Sequence, residues 1–131
     1  MTVQEFRAAL NNKYQQEYET AMDEANDRLN AEQSAAGNHF KETSSLLYRR
    51  YLDRKLAIVR DLPPEEQESA ARQANAEFDA AQEAARLQFH AEMTAATKWH
   101  GVVWRMIGAL WVERTSAVAH GCYDHKFSEV K

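Results

Sequence analysis

Only four glycines and two prolines interrupt the 131 residues of this chain, and this scarcity is the strongest constraint on its fold. β-Sandwiches and α/β sheets need frequent turns, and Gly and Pro supply much of the backbone geometry that turns require. The chain is instead rich in Ala, Glu, Gln, Arg and Leu, which are good helix formers. The sequence therefore predicts an all-α protein, with one helical domain over residues 1–131.

Capping signals indicate where the predicted helices begin and end. Thr2 and Glu5 form a capping box, in which each side chain accepts a hydrogen bond from the other residue's backbone amide. Gly37-Asn38 is typical of a helix C-terminus, because glycine adopts the left-handed conformation without steric cost. Pro63-Pro64, followed by two glutamates, predicts the end of one helix and the start of the next.

The C-terminal half contains fewer such signals. Gly101 either kinks a helix or is carried through it, and His120-Gly121 ends the helical pattern. The predicted fold is an elongated, mainly antiparallel bundle of three or four helices, at residues 2–36, 39–62, 64–100 and 102–119, followed by an irregular tail at 120–131.

Charge alternates along the chain in a way that favours antiparallel neighbours. Residues 39–63 carry six basic and three acidic side chains, whereas residues 1–38 and 64–98 each carry three basic and seven acidic ones. In the basic segment, Tyr48, Leu52, Leu56 and Val59 widen the apolar face beyond a single stripe. Such a broad face is typical of a helix packed against two neighbours.

All three tryptophans lie within the segment Trp99–Val112, which is apolar on most sides. Its Val103, Met106, Ile107 and Leu110 share one helical face, and we expect that face to pack inside the protomer. A partner would then contact the flank of that face, since Trp and Arg are enriched at binding hot spots. The predicted interface comprises Trp99, Trp104, Arg105, Ile107 and Trp111. Two other interpretations fit the same pattern, a buried core helix and insertion into a membrane interface.

One cluster near the C-terminus has the side chains of a metal site. His120, Cys122, Asp124 and His125 all carry ligand atoms, but their spacing matches no standard zinc pattern and no second Cys/His pair completes a site. Cys122 is also the only cysteine, so no intrachain disulfide forms. We therefore predict no bound metal, with a small metal-dependent enzyme as the alternative.

Catalytic and cofactor motifs are missing from the sequence. It contains no Glu-x-x-His pair for a diiron centre, no phosphate-binding glycine loop, and no Gly-x-Ser-x-Gly or His-Glu-x-x-His. The prediction is a protein that is not an enzyme and binds no cofactor.

The stretch Tyr48–Lys55 combines basic and aromatic side chains, as single-stranded nucleic-acid sites do. Its aromatic residues also belong to the apolar face, and the segments on either side are acidic. A net charge of −4 adds to the repulsion of phosphate. Nucleic acid is therefore not the expected partner.

These features predict a non-enzymatic structural or interaction protein that forms a homo-oligomer or part of a larger assembly. A component of a viral or phage particle is compatible with them. The alternatives are an inhibitor or adaptor that binds one macromolecular target, and a membrane-surface protein that uses Trp99–Val112. The N-terminus lacks a signal-peptide pattern, and no apolar run is long enough to span a bilayer, so a cytoplasmic location is expected.

Overall fold

The computed structural model describes residues 1–121, and these residues form two long helices. Helix α1 runs from Val3 to Asp61 and helix α2 from Pro64 to Ala119. Residues 1–121 contain no β-strand. The all-α prediction is confirmed, but the described chain has two helices where the sequence predicted three or four.

The helix ends agree with the capping signals. The Thr2 amide donates to Glu5 Oε2 over 3.1 Å, and the Glu5 amide donates to Thr2 Oγ1 over 3.0 Å, which completes the predicted capping box. The two-residue turn before Pro64 is held by the Gln67 side chain, whose Nε2 donates to the Leu62 backbone oxygen over 3.0 Å. At the end of α2, Gly121 has a φ of 75°, the left-handed conformation predicted for a helix stop.

The predicted break at Gly37-Asn38 is wrong, because α1 continues through it without interruption. On either side of Gly37, Ala36 is buried and the Phe40 ring packs 5.2 Å from that of Phe89. A glycine inside a helix costs only about 1 kcal/mol relative to alanine, so packing on both sides offsets it. The predicted boundary at residues 100–102 is also absent, since α2 carries Gly101 through.

The chain divides into two compact units. Unit 1 combines Met1–Asn30 with Thr97–Lys131, and unit 2 consists of Ala31–Ala96. In unit 1 the two helix segments run antiparallel, since Glu17 pairs with Arg114 and Asn26 pairs with His100. The core of this unit is a cluster of buried residues that joins Phe6, Leu10 and Tyr14 of α1 to Val118 of α2.

Unit 2 is an antiparallel pair of helix segments with a thin core. Its buried residues are mostly small: Ala36, Ile58, Ala74 and Ala96. Half-buried aromatic rings pack between them, as when Tyr51 stacks on Phe78 with ring centroids 4.6 Å apart. The sequence led us to expect that the many alanines of α2 line a tight seam between helices. Buried Ala74 and Ala96 agree with that expectation, whereas Ala80, Ala84, Ala91 and Ala95 are exposed.

Candidate interaction surface

The five predicted interface residues all lie on the α2 segment of unit 1, but they do not form one surface. Trp104 and Arg105 are exposed. Trp99, Ile107 and Trp111 are half-buried. Part of the predicted interface therefore packs within unit 1, and part faces outwards.

Trp111 belongs to the packing between the two helices of unit 1. Its ring lies 5.3 Å from that of Tyr18, centroid to centroid, at an angle of 40°. The indole Nε1 is buried and has no hydrogen-bond partner among the described residues. A buried donor left without a partner costs about 1–3 kcal/mol, so apolar packing of the ring has to offset that cost.

Trp99 is covered from α1 by a charged side chain. The Arg28 guanidinium lies 3.7 Å from the centre of the indole ring, which is cation–π geometry. One residue further along α2, His100 Nε2 lies 2.8 Å from Asn26 Oδ1. These polar contacts hold the start of the tryptophan segment against α1, and they leave less of Trp99 for a partner than the sequence suggested.

A cavity of about 220 Å³ lies between the helices of unit 1 beside Trp111. Arg114 borders it and donates to Glu17 Oε2 over 2.6 Å, while its guanidinium also lies 5.1 Å from the Tyr14 ring. The cavity is smaller than most small-molecule sites, and its charged groups already pair with each other. Its lining residues are Tyr14, Glu17, Tyr18, Ala21, Ile107, Leu110, Trp111 and Arg114.

Apolar side chains are exposed on the outward side of α2 in unit 1, next to the exposed charged residues Arg105 and Glu113, and this differs from the prediction. Met106 and Leu110 were expected to pack inside with Val103 and Ile107, yet their side chains are 66% and 46% exposed. Val103 and Ile107 are half-buried. Trp111 packs against Tyr18, whereas Leu110 borders the cavity beside it and stays partly exposed.

Val102, Met106 and Leu110 recur every four residues, so they share one side of the helix. We call these three side chains the unit 1 outer face. Trp104 and Val112 are also exposed, but on other sides of the helix. The three side chains of the unit 1 outer face are only partly covered within the described residues, and Leu110 also borders the cavity. The sequence pattern missed this face because the segment is apolar on several sides.

The metal hypothesis concerns residues that fall mostly beyond the described chain. His120 is exposed, and its Nδ1 lies 2.8 Å from the backbone oxygen of Ser116. Cys122, Asp124 and His125 lie outside the described residues. Within residues 1–121, no group of three or more His, Cys, Asp or Glu side chains is arranged to hold a metal ion.

Part of the basic stretch of α1 contacts α2 inside unit 2. Arg54 forms an ion pair with Glu77, and Lys55 Nζ lies 3.5 Å from Asn75 Oδ1. The Tyr51 hydroxyl donates to the same Asn75 oxygen over 2.5 Å. Tyr51, Arg54 and Lys55 therefore help to hold the two helices together, whereas Arg49 and Arg50 are exposed.

No family model matches this chain, and no curated protein or solved structure is detectably similar to it. Over the described residues, neither helix is long and apolar enough to cross a bilayer.

Proposed function

We propose that this protein is a non-enzymatic interaction protein that assembles with copies of itself through apolar faces of its helices. The observation that carries this proposal is the unit 1 outer face, where Val102, Met106 and Leu110 are exposed together on α2. Single exposed apolar residues are ordinary on protein surfaces, but contiguous ones are typical of interaction sites.

The exposed fractions of these side chains support the same proposal. Val102 and Leu110 are 42% and 46% exposed, and Met106 is 66% exposed. A second copy that packs on these three side chains would remove apolar surface from water, which favours association.

The mass of the protein in solution tests the proposal. Sedimentation of the full chain without lipid or detergent should give a mass above that of one copy, increasing with protein concentration. Met106→Glu with Leu110→Glu should lower the mass, because charges on the unit 1 outer face would be buried on association. As a matched control, Asn11→Glu with Asn12→Glu adds the same charge to exposed positions of α1 and should leave the mass unchanged.

A single copy at every concentration would overturn self-association. Equal masses for the Met106/Leu110 variant and the wild type would remove the unit 1 outer face from the contact. Circular dichroism of each variant should show the wild-type helical content, since the substituted side chains are exposed.

A further inference from the structure

Unit 2 carries a second apolar face, on the outward side of α1. Tyr48, Leu52, Leu56 and Val59 are spaced by four, four and three residues, so they line one side of the helix. Leu56 and Val59 are 67% and 68% exposed, and the other two are also exposed. We call these four side chains the α1 face. Apart from the Tyr48 ring, which contacts Phe78, this face is largely exposed, although four large apolar groups in a row are costly to leave in water.

The outward side of α2 in unit 2 has the opposite character. Beside charged residues such as Glu83, exposed small residues and one leucine recur there at helical spacing: Ala76, Ala80, Ala84, Leu87 and Ala91. We call them the α2 face. Alanines let another helix approach closely, and the gaps between them accept larger side chains. The α1 face supplies such side chains over a similar length of helix.

These two faces lie on opposite sides of the helix pair in unit 2. The α1 face lies on the side of the pair where the Tyr48 ring is 6.2 Å from that of Phe78. The ion pair between Arg54 and Glu77 closes the other side. Ala80 follows Glu77 by three residues, which places the α2 face on the side of the ion pair.

The segments that carry the two faces have opposite charge. Residues 41–60 carry six basic and two acidic side chains, whereas residues 64–96 carry two basic and seven acidic ones. Beside the α2 face, a hydrogen bond from Arg86 lowers the pKa of Glu83. Two α1 faces, or two α2 faces, would bring like charges together. An α1 face against an α2 face brings opposite charges together.

We propose that the α1 face of one copy docks on the α2 face of a second copy. This inference rests on the proposed self-association and names its geometry. Because each copy presents the two faces on opposite sides, the contact is heterologous: a third copy can add to the second in the same way. Such contacts generate rings or open filaments rather than closed dimers.

Two variants, each with one face blocked, test this geometry. Leu52→Glu with Leu56→Glu blocks the α1 face, and Ala80→Glu with Leu87→Glu blocks the α2 face. Both variants also carry Met106→Glu and Leu110→Glu, so that the unit 1 outer face contributes nothing. The parent variant, which carries only Met106→Glu and Leu110→Glu, should still form assemblies whose mass increases with protein concentration. Ala31→Glu with Ala35→Glu in that parent is the control, since both positions are exposed on α1 away from its apolar face.

Sedimentation should find each blocked variant as a single copy and their equimolar mixture as a one-to-one complex. The complex forms because the mixture still contains one intact α1 face and one intact α2 face. A variant with a blocked α2 face that dimerises on its own would show a symmetric α1 contact and overturn the proposal. A mixture of single copies, or a parent that does not associate, would overturn it as well. The wild type distinguishes the proposed self-association from the proposed contact between the α1 and α2 faces. If the wild type associates and the parent variant does not, self-association stands and the contact between these faces is wrong.

Discussion

Trp111 packs against Tyr18 across the two helices of unit 1, with ring centroids 5.3 Å apart. This pair is one of the contacts that direct one side of α2 towards α1 in unit 1, together with the ion pair between Glu17 and Arg114. With the indole directed at α1, Leu110 and Met106 face solvent, and the neighbouring Trp104 is 42% exposed. The three tryptophans of one short segment therefore have different environments, and substitutions should separate them.

Trp111→Ala should lower the free energy of unfolding by about 2 kcal/mol, less than the 3–5 kcal/mol typical of fully buried rings. Trp104→Ala should lower it by less than about 1 kcal/mol, because that side chain is more exposed. Trp111→Phe should cost less than Trp111→Ala, since it keeps a ring and removes the unpaired N–H. Urea unfolding at one fixed protein concentration measures all three. Equal losses for the two alanine variants would contradict this difference in environment.

Leu10 is completely buried in unit 1 beside Phe6 and Val118. Leu10→Ala should lower the free energy of unfolding by about 2–5 kcal/mol, through lost apolar burial and the cavity left behind. Leu46→Ala is the matched control, because that side chain is 43% exposed, and it should cost less than about 1 kcal/mol. Denaturant titration followed by circular dichroism compares them. A small loss at Leu10 would mean that this cluster is not the core of unit 1.

Three glycines lie inside helices with open space where a β-carbon would project: Gly37, Gly101 and Gly108. Replacing each with alanine should raise the free energy of unfolding by about 0.5–1 kcal/mol, because alanine restricts the unfolded chain and favours the helix. Gly121→Ala should do the reverse, since a φ of 75° costs an alanine about 1–2 kcal/mol. Thermal unfolding should shift in opposite directions. A lower melting temperature for Gly37→Ala would indicate contacts at that position that the two helices alone do not explain.

Nucleic acid should not form a salt-sensitive complex with the chain at physiological ionic strength. Arg54 is already paired with Glu77, and the α2 segment of unit 2 is acidic, so phosphates meet little uncompensated positive charge. Fluorescence anisotropy with labelled single-stranded RNA and duplex DNA provides the measurement. Tight binding that weakens steeply with salt, and that disappears on changing Arg49, Arg50 and Arg54 to Glu, would reverse this expectation.

The sequence predicted the helix type and the four helix ends of the described residues, because those depend on neighbouring residues, but it also predicted four ends that are absent. The capping box at Thr2 and Glu5, the turn at Pro63 and the stop at Gly121 all follow from local chemistry. The helix end predicted at Gly37 is wrong because the preference of glycine against helix interiors is only about 1 kcal/mol, and packing between distant residues outweighs it. Phe40 contacts Phe89 from the other helix, and no local pattern contains that pairing.

The candidate interaction surface was predicted less well, for a related reason. On a helix that is apolar on several sides, the sequence does not reveal which side faces its neighbour. That side depends on the residue that packs against it from the other helix. For Trp111 this residue is Tyr18, which is distant in the sequence. In unit 2 the broad apolar face containing Tyr48 and Leu52 was predicted to pack against two neighbours, but among the described residues α1 has one neighbouring helix segment there and Leu52 stays exposed.

The position of the fully buried side chains also has a consequence for the order of folding. Contacts near the turn join residues 23 positions apart, as in Arg54 and Glu77, whereas Arg114 and Glu17 are 97 positions apart. Loop-closure entropy increases with this separation, by about 0.6 kcal/mol per doubling. The helices should therefore associate first next to the turn, and Leu10 should reach Val118 late. Leu10→Ala should then accelerate unfolding and leave the refolding rate almost unchanged. The best-buried part of the molecule therefore mainly slows unfolding and contributes little to the rate of folding.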